Sequence, residues 1–124
     1  MEYELRRVLI VEDDACIREA LAECIATLGI EVTTSPDGQD GLEKLRPGRL
    51  PDAILLDLRM PRLDGNGFLA ALRANPATAD IPVVIMTASH DKLHGPVCAV
   101  LEKPFDLDEL AKILTRLGRE RKAA

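Results

Sequence analysis

The sequence has 124 residues, with no tryptophan, one tyrosine and two phenylalanines, so any core it builds is mostly aliphatic. It also lacks an apolar stretch near the ~20 residues a membrane span requires, which excludes membrane insertion as a reading. The N-terminus, "MEYELRRVLIVEDD", meets acids after a short apolar run and does not read as a signal peptide. Basic blocks are missing and the net charge is −5, which argues against a nucleic-acid or anionic-membrane surface as the main function. The three cysteines, Cys16, Cys24 and Cys98, have no framework spacing. Cys16 and Cys24 fall about 12 Å apart on one expected helix, too far for a disulfide, and read as reduced thiols. Repeats, low-complexity tracts and linkers are absent. The expectation is one soluble, cytoplasmic domain.

What the chain does have is alternation. "RVLIV" (Arg7–Val11) reads as a strand, and Ala15–Leu28 as a helix with Ile17, Leu21, Ile25 and Leu28 at helical spacing and Gly29 at its stop. Ile30–Thr34 is a short strand, and Asp37–Leu45 a short helix ended by Pro47-Gly48. "AILLD" (Ala53–Asp57) is the third strand, followed by a helix over Gly65–Ala74. Pro82–Thr87 and Val97–Glu102 are strands four and five. Asp106–Leu117 is a final helix, with Asp106 and Glu109 spaced as in a capping box and Leu107, Leu110, Leu114 and Leu117 on one face. Strand–helix alternation along the whole chain implies an α/β fold: a doubly wound parallel sheet with helices on both faces.

In such a sheet the C-terminal ends of all strands share one edge. Strand one ends in Glu12-Asp13-Asp14, strand three in Asp57, strand four in Thr87 and strand five in Glu102-Lys103-Pro104. Crowded carboxylates repel one another unless a cation lies between them. A hard, oxygen-seeking ion such as Mg²⁺ suits them, held by one or two carboxylates, waters and phosphate oxygens. A carboxylate can also act as a nucleophile and form an aspartyl phosphate. Lys103 would then pair with the phosphoryl charge, and Thr87 could hydrogen-bond it. Taken singly, each residue has an ordinary alternative: Asp14 as a helix cap, Asp57 as a solvated loop acid, Thr87 as a strand residue, Lys103 as a surface charge. The combination from four strand ends is what points to phosphoryl chemistry.

The segments "VLIVEDD" (Val8–Asp14), "ILLDLRMPRLDG" (Ile54–Gly65), "VVIMTA" (Val83–Ala88) and "LEKPF" (Leu101–Phe105) occur in the order found in the receiver domains of two-component response regulators, which this sequence resembles over nearly its whole length. The resemblance implies a flavodoxin-like five-stranded sheet of order 2-1-3-4-5. It implies a receiver domain over residues 1–124, core about 6–118, with no output domain in the chain. Asp57 would be the phosphoacceptor, and Glu12, Asp13, Asp57 and the backbone carbonyl of Arg59 would hold Mg²⁺. Thr87 would turn its hydroxyl to the phosphoryl group, Lys103 would bind it, and Lys103-Pro104 would be a cis peptide. The phosphodonor would be a sensor histidine kinase or histidine phosphotransfer protein, and a downstream protein would read the switched surface. Such a domain is a signalling switch and not an enzyme, with no direct contact to nucleic acid.

The sequence departs from the pattern in two places. The segment between Thr87 and Lys103 is about six residues shorter than usual, roughly 9 Å of helix, so the fourth helix is expected to be shortened or missing. Val100 stands where the family usually has Tyr or Phe, leaving the Thr–aromatic switch incomplete. The rival reading is therefore a degenerate receiver acting as a phosphorylation-independent interaction module. An aspartate-nucleophile phosphatase is disfavoured because Arg59 stands where a second acid is expected. His90, His94 and Cys98 are interrupted by Gly95-Pro96 and read as loop residues and not as a soft-metal site. The tail "RLGRERKAA" reads as a frayed helix end and not as a nucleic-acid arm.

Overall fold

The computed structural model describes residues 5–60, 62–87, 97 and 99–123. Five strands form one parallel sheet in the order β2-β1-β3-β4-β5. They are β1 (Arg7–Val11), β2 (Glu31–Ser35), β3 (Ala53–Asp57), β4 (Val83–Thr87) and β5 (Ala99–Glu102). Four helices lie among the described residues: α1 (Ala15–Ala26), α2 (Gly38–Glu43), α3 (Gly65–Ala74) and α4 (Leu107–Ala123). The expected α/β architecture and strand order are thus present.

Burial follows position in the sheet. All five residues of β3 and of β4 are buried, the mark of central strands covered on both faces. The edge strands β2 and β5 carry exposed residues along their length. The two-residue period of a strand divides β1 between two cores. Val8 and Ile10 point to the layer of α1 and α4, where they meet Leu21, Ile25, Leu110 and Leu114. Leu9 and Val11 point to the other layer, against Phe68, Leu69 and Leu72 of α3.

The helix ends have identifiable causes. Asp14 caps α1 by accepting from the Ile17 N–H at 3.1 Å, as expected, and Asp64 caps α3 through Gly67 N–H at 2.8 Å. Helix α1 stops at Ala26, two residues short of the expected Leu28, and Gly29 then turns with φ 83°. Helix α4 runs past the expected end at Leu117 to Ala123, so the tail is helical. Arg, Glu, Lys and Ala favour helix there, and Arg116 meets Glu120 one turn on at 3.6 Å. At its start the Asp106 carboxylate accepts from the Glu109 N–H at 2.8 Å. The segment expected to hold the fourth helix, residues 88–96, lies outside the described residues, as do His90, His94 and Cys98. Cys16 is exposed and Cys24 half-buried, both free thiols.

The opposite, N-terminal edge is closed by an acid that the sequence reading passed over. Asp52 precedes β3, and its carboxylate accepts from the backbone N–H groups of Arg6 and Arg7 at 2.7 and 3.1 Å, just where β1 begins.

Candidate functional site

Each strand of the sheet delivers its last residues to the same edge. Glu12 follows β1 and is fully buried, while Asp13 beside it is exposed. Asp57 ends β3 at 7% exposure and Thr87 ends β4 at 6%. Lys103 follows β5, and its N–H donates to the Thr87 carbonyl at 2.7 Å, continuing the strand pairing past the last ladder residues. The Lys103–Pro104 peptide is cis, as the resemblance implies.

Four of the expected side chains converge tightly. Carboxylate oxygens of Glu12, Asp13 and Asp57 lie within 4.8 Å of one another. Lys103 Nζ lies 2.5 Å from Glu12 Oε1 and 3.7 Å from Asp57 Oδ1. Its ammonium thus offsets part of the charge that two buried acids bring together. It does not offset all of it. Burial, and then the charge of Glu12, push the Asp57 carboxyl up to about 7 against the pull of Lys103 and of the Arg59 backbone N–H that bonds it. A carboxylate held there is one that a cation would return to its ionised form. The donor set is all oxygen, with three carboxylates from the ends of two strands, which fits a hard divalent ion such as Mg²⁺ and not a soft metal.

Several residues that were not singled out in the sequence shape this edge. Arg18, one turn into α1, donates to the backbone carbonyls of Glu12 and Asp13 at 2.9 and 3.4 Å, fixing the acidic loop from behind. An arginine within one turn of an acid run at a helix start is a signal the sequence carried. Gly65 opens α3 where its N–H donates to the Leu58 carbonyl at 2.9 Å. A Cβ at Gly65 would lie 2.6 Å from both the Asp57 carbonyl oxygen and Leu58 Cα, so only glycine lets the helix start this close to the strand end. Arg62 in the β3–α3 loop has φ 64° and ion-pairs with buried Asp37, the N-cap of α2. Nothing in the local sequence marks residue 62 for that conformation, which Gly or Asn would have signalled.

Beside the site, α1 and the start of α4 leave an apolar groove of about 430 Å³. Ile17, Ala20, Leu21, Cys24 and Phe105 line it, with Lys103 on its wall. Among the described residues no helix is long and apolar enough to cross a membrane.

The family model for the response regulator receiver domain matches residues 8–115. Response regulator MprA of Mycolicibacterium vanbaalenii is 36% identical over 120 residues, a match covering 91% of this chain and 50% of that protein. The chain spans about half the length of the first curated relatives it matches. The fold is similar to the signal receiver domain of a signal transduction histidine kinase from Syntrophus aciditrophicus, with TM-score 0.87, 27% identity, and 96% and 94% of the two chains covered. It is also similar to the receiver domain of the sensor histidine kinase PA1611 from Pseudomonas aeruginosa, with TM-score 0.82, 30% identity, and 92% and 98% covered. That structure holds a magnesium ion in its active-site cleft.

Proposed function

The chain belongs to the response regulator receiver family of two-component signalling, and from that premise we propose that it is a working phosphoacceptor, with Asp57 as the residue modified. The observation that carries the proposal is the meeting of Glu12, Asp13 and Asp57 within 4.8 Å, with Lys103 Nζ 3.7 Å from Asp57. A degenerate interaction module has no use for that convergence, and it raises the proton affinity of Asp57 at a cost in electrostatic energy.

In the reaction, an Asp57 carboxylate oxygen attacks the phosphorus of a phosphohistidine. The phosphorus–nitrogen bond breaks, and the imidazole leaves and takes up a proton. Catalysis of such a transfer is positioning plus charge stabilisation. Asp57, ending a buried central strand, supplies the fixed nucleophile. Lys103 shifts its ammonium from Glu12 toward the incoming phosphoryl oxygens, and the Thr87 hydroxyl donates to one of them. Glu12, Asp13, Asp57 and the Arg59 carbonyl would hold Mg²⁺, which keeps Asp57 ionised and neutralises charge on the transferring group.

The donor is a sensor histidine kinase or a histidine phosphotransfer protein. The groove between α1 and α4 supports this reading: it offers an apolar seat for a donor helix, with Lys103 on its wall and Asp57 Oδ1 3.7 Å from the Lys103 ammonium. The described chain acts as one receiver domain, cytoplasmic, without direct nucleic-acid contact, and passes its signal to a downstream protein. Its output differs from the usual one, because Val100, 48% exposed on β5, replaces the ring that would follow Thr87.

Intact mass after incubation with Mg²⁺ and acetyl phosphate tests the proposal. One added phosphoryl group is expected on the parent protein, absent from Asp57→Asn and from a chelated sample. No addition, together with no detectable Mg²⁺ binding, would overturn it in favour of a phosphorylation-independent module.

A further inference from the structure

We propose that Arg62 is a positioning residue for the divalent cation. Its guanidinium, anchored on buried Asp37, holds the β3–α3 loop in the shape that presents the Arg59 carbonyl beside Asp57. The proposal rests on the reading of Glu12, Asp13 and Asp57 as a cation site.

Three observations lead to it. First, Arg62 has φ 64°, and among the described residues it is the one non-glycine with positive φ. A residue with a Cβ adopts that conformation at a steric cost that its surroundings must offset. Second, the enforcing contact is identifiable. Asp37 is 1% exposed, and its Oδ1 caps α2 by accepting from the Asp40 N–H at 2.8 Å. Its Oδ2 pairs with the Arg62 guanidinium. The Arg62 side chain is itself largely exposed, but the carboxylate it meets is almost wholly withdrawn from water and the bond is charge-assisted. Third, the neighbouring residues are clamped together. Gly38 N–H donates to the Leu63 carbonyl at 3.1 Å, and a Cβ on Gly38 would collide with that same oxygen.

The loop is therefore tied to the first turn of α2 at two consecutive residues, by a backbone bond at Leu63 and an ion pair at Arg62. Its other end is tied to the site, where the Arg59 N–H bonds the Asp57 carboxylate and Gly65 N–H bonds the Leu58 carbonyl. Arg62 is thus the α2 anchorage nearest in sequence to Arg59, three residues away. With the ion pair removed, residue 62 is free to leave the left-handed region, and the loop that carries the Arg59 carbonyl loses its Arg62 anchorage on α2. Glu12 and Asp13 arrive on a different loop, held independently by Arg18. The Arg62 effect should thus fall on the β3–α3 half of the donor set.

The test is cation affinity, measured on the full chain by calorimetry with Mg²⁺ and by the electron paramagnetic resonance of Mn²⁺. Arg62→Gly keeps the left-handed conformation accessible while deleting the guanidinium. Asp37→Asn keeps a capping oxygen while deleting the charge. Each is expected to weaken Mg²⁺ binding by about tenfold, the low end for partners that orient metal ligands. The double variant should be no weaker than the worse single one, because both remove one interaction, and Arg62→Lys should recover most of the loss. Urea midpoints taken alongside separate this from general loosening. Arg62→Gly binding Mg²⁺ as tightly as the parent would overturn the inference, as would single effects that multiply in the double variant. A parent protein that binds neither cation would instead overturn the reading of the site on which the inference rests.

Discussion

Two aspartates bracket β3, and they are almost equally buried: Asp52 is 8% exposed and Asp57 7%. Their surroundings are opposite. Asp52, at the N-terminal end, accepts from two backbone N–H groups at the start of β1. Asp57, at the C-terminal end, faces Glu12, and its carboxyl is pushed up to about 7 by burial and that neighbouring charge. The difference follows from where a parallel strand points. At strand starts, leading N–H groups need acceptors, so a buried acid is satisfied there. At the C-terminal edge loops diverge and acids from several strands can crowd, so a buried acid there is held against its preference. One end of β3 uses a carboxylate to build the fold, and the other holds the carboxylate proposed as the phosphoacceptor.

Substituting the two ends should separate these roles most widely. Asp57→Asn is expected to abolish phosphoryl uptake, and to raise the stability of the metal-free protein at pH 8 by relieving repulsion from Glu12. Asp52→Ala is expected to leave phosphoryl uptake intact and to cost about 1–2 kcal/mol, the price of two part-buried N–H donors losing their acceptor. Intact mass and urea denaturation on both variants check this, and a shared loss of phosphorylation would erase the contrast.

Acid–base linkage sharpens it. The folded protein holds the Asp57 proton up to pH about 7, while the unfolded chain releases it near its ordinary value of 3.8. Between those limits folding takes up a proton, so the Asp57 contribution is greatest at low pH and is lost as pH rises through 7. In chelator, the stability of the parent relative to Asp57→Asn should therefore fall with pH by at most ~1.4 kcal/mol per unit and flatten above 7. Saturating Mg²⁺ should remove the slope. Thermal denaturation across pH 5.5–8.5 measures it, and a difference that rises with pH would contradict the assigned sign.

A comparable effect on stability is expected from Gly65→Ala, whose Cβ must displace backbone at Asp57 and Leu58. About 1–3 kcal/mol of destabilisation with weakened Mg²⁺ binding is expected, the range for overpacked sites. Smallest of all, Val100→Thr at the half-exposed edge of β5 should change stability by no more than about 0.5 kcal/mol.

Much of this was legible in the chain. The apolar run Ala53–Leu56 ending on Asp57 located a central strand and its terminal acid, because burial on both faces leaves a continuous signature. Strand β1 and helix α3 have the boundaries their patterns gave, since acids and an Asp-Gly pair punctuate them. What could not be read depended on contacts between distant segments. Asp52 looks like any loop acid until β1 is laid beside β3. The bend at Arg62 is imposed by Asp37, a residue of another element. The length of α4 was underestimated because apolar periodicity stops at Leu117, while the helix continues on propensity and charge pairing.

The most direct test of the central claim is the titration of the Asp57 side-chain carboxyl, followed by carbon-13 NMR with Asp52 in the same spectrum. The account predicts a midpoint near 7 for Asp57 without metal, falling well into the acid range when Mg²⁺ is added, and no response of Asp52 to Mg²⁺. An Asp57 that titrates near 4 and ignores Mg²⁺ would contradict it, leaving the two ends of β3 alike.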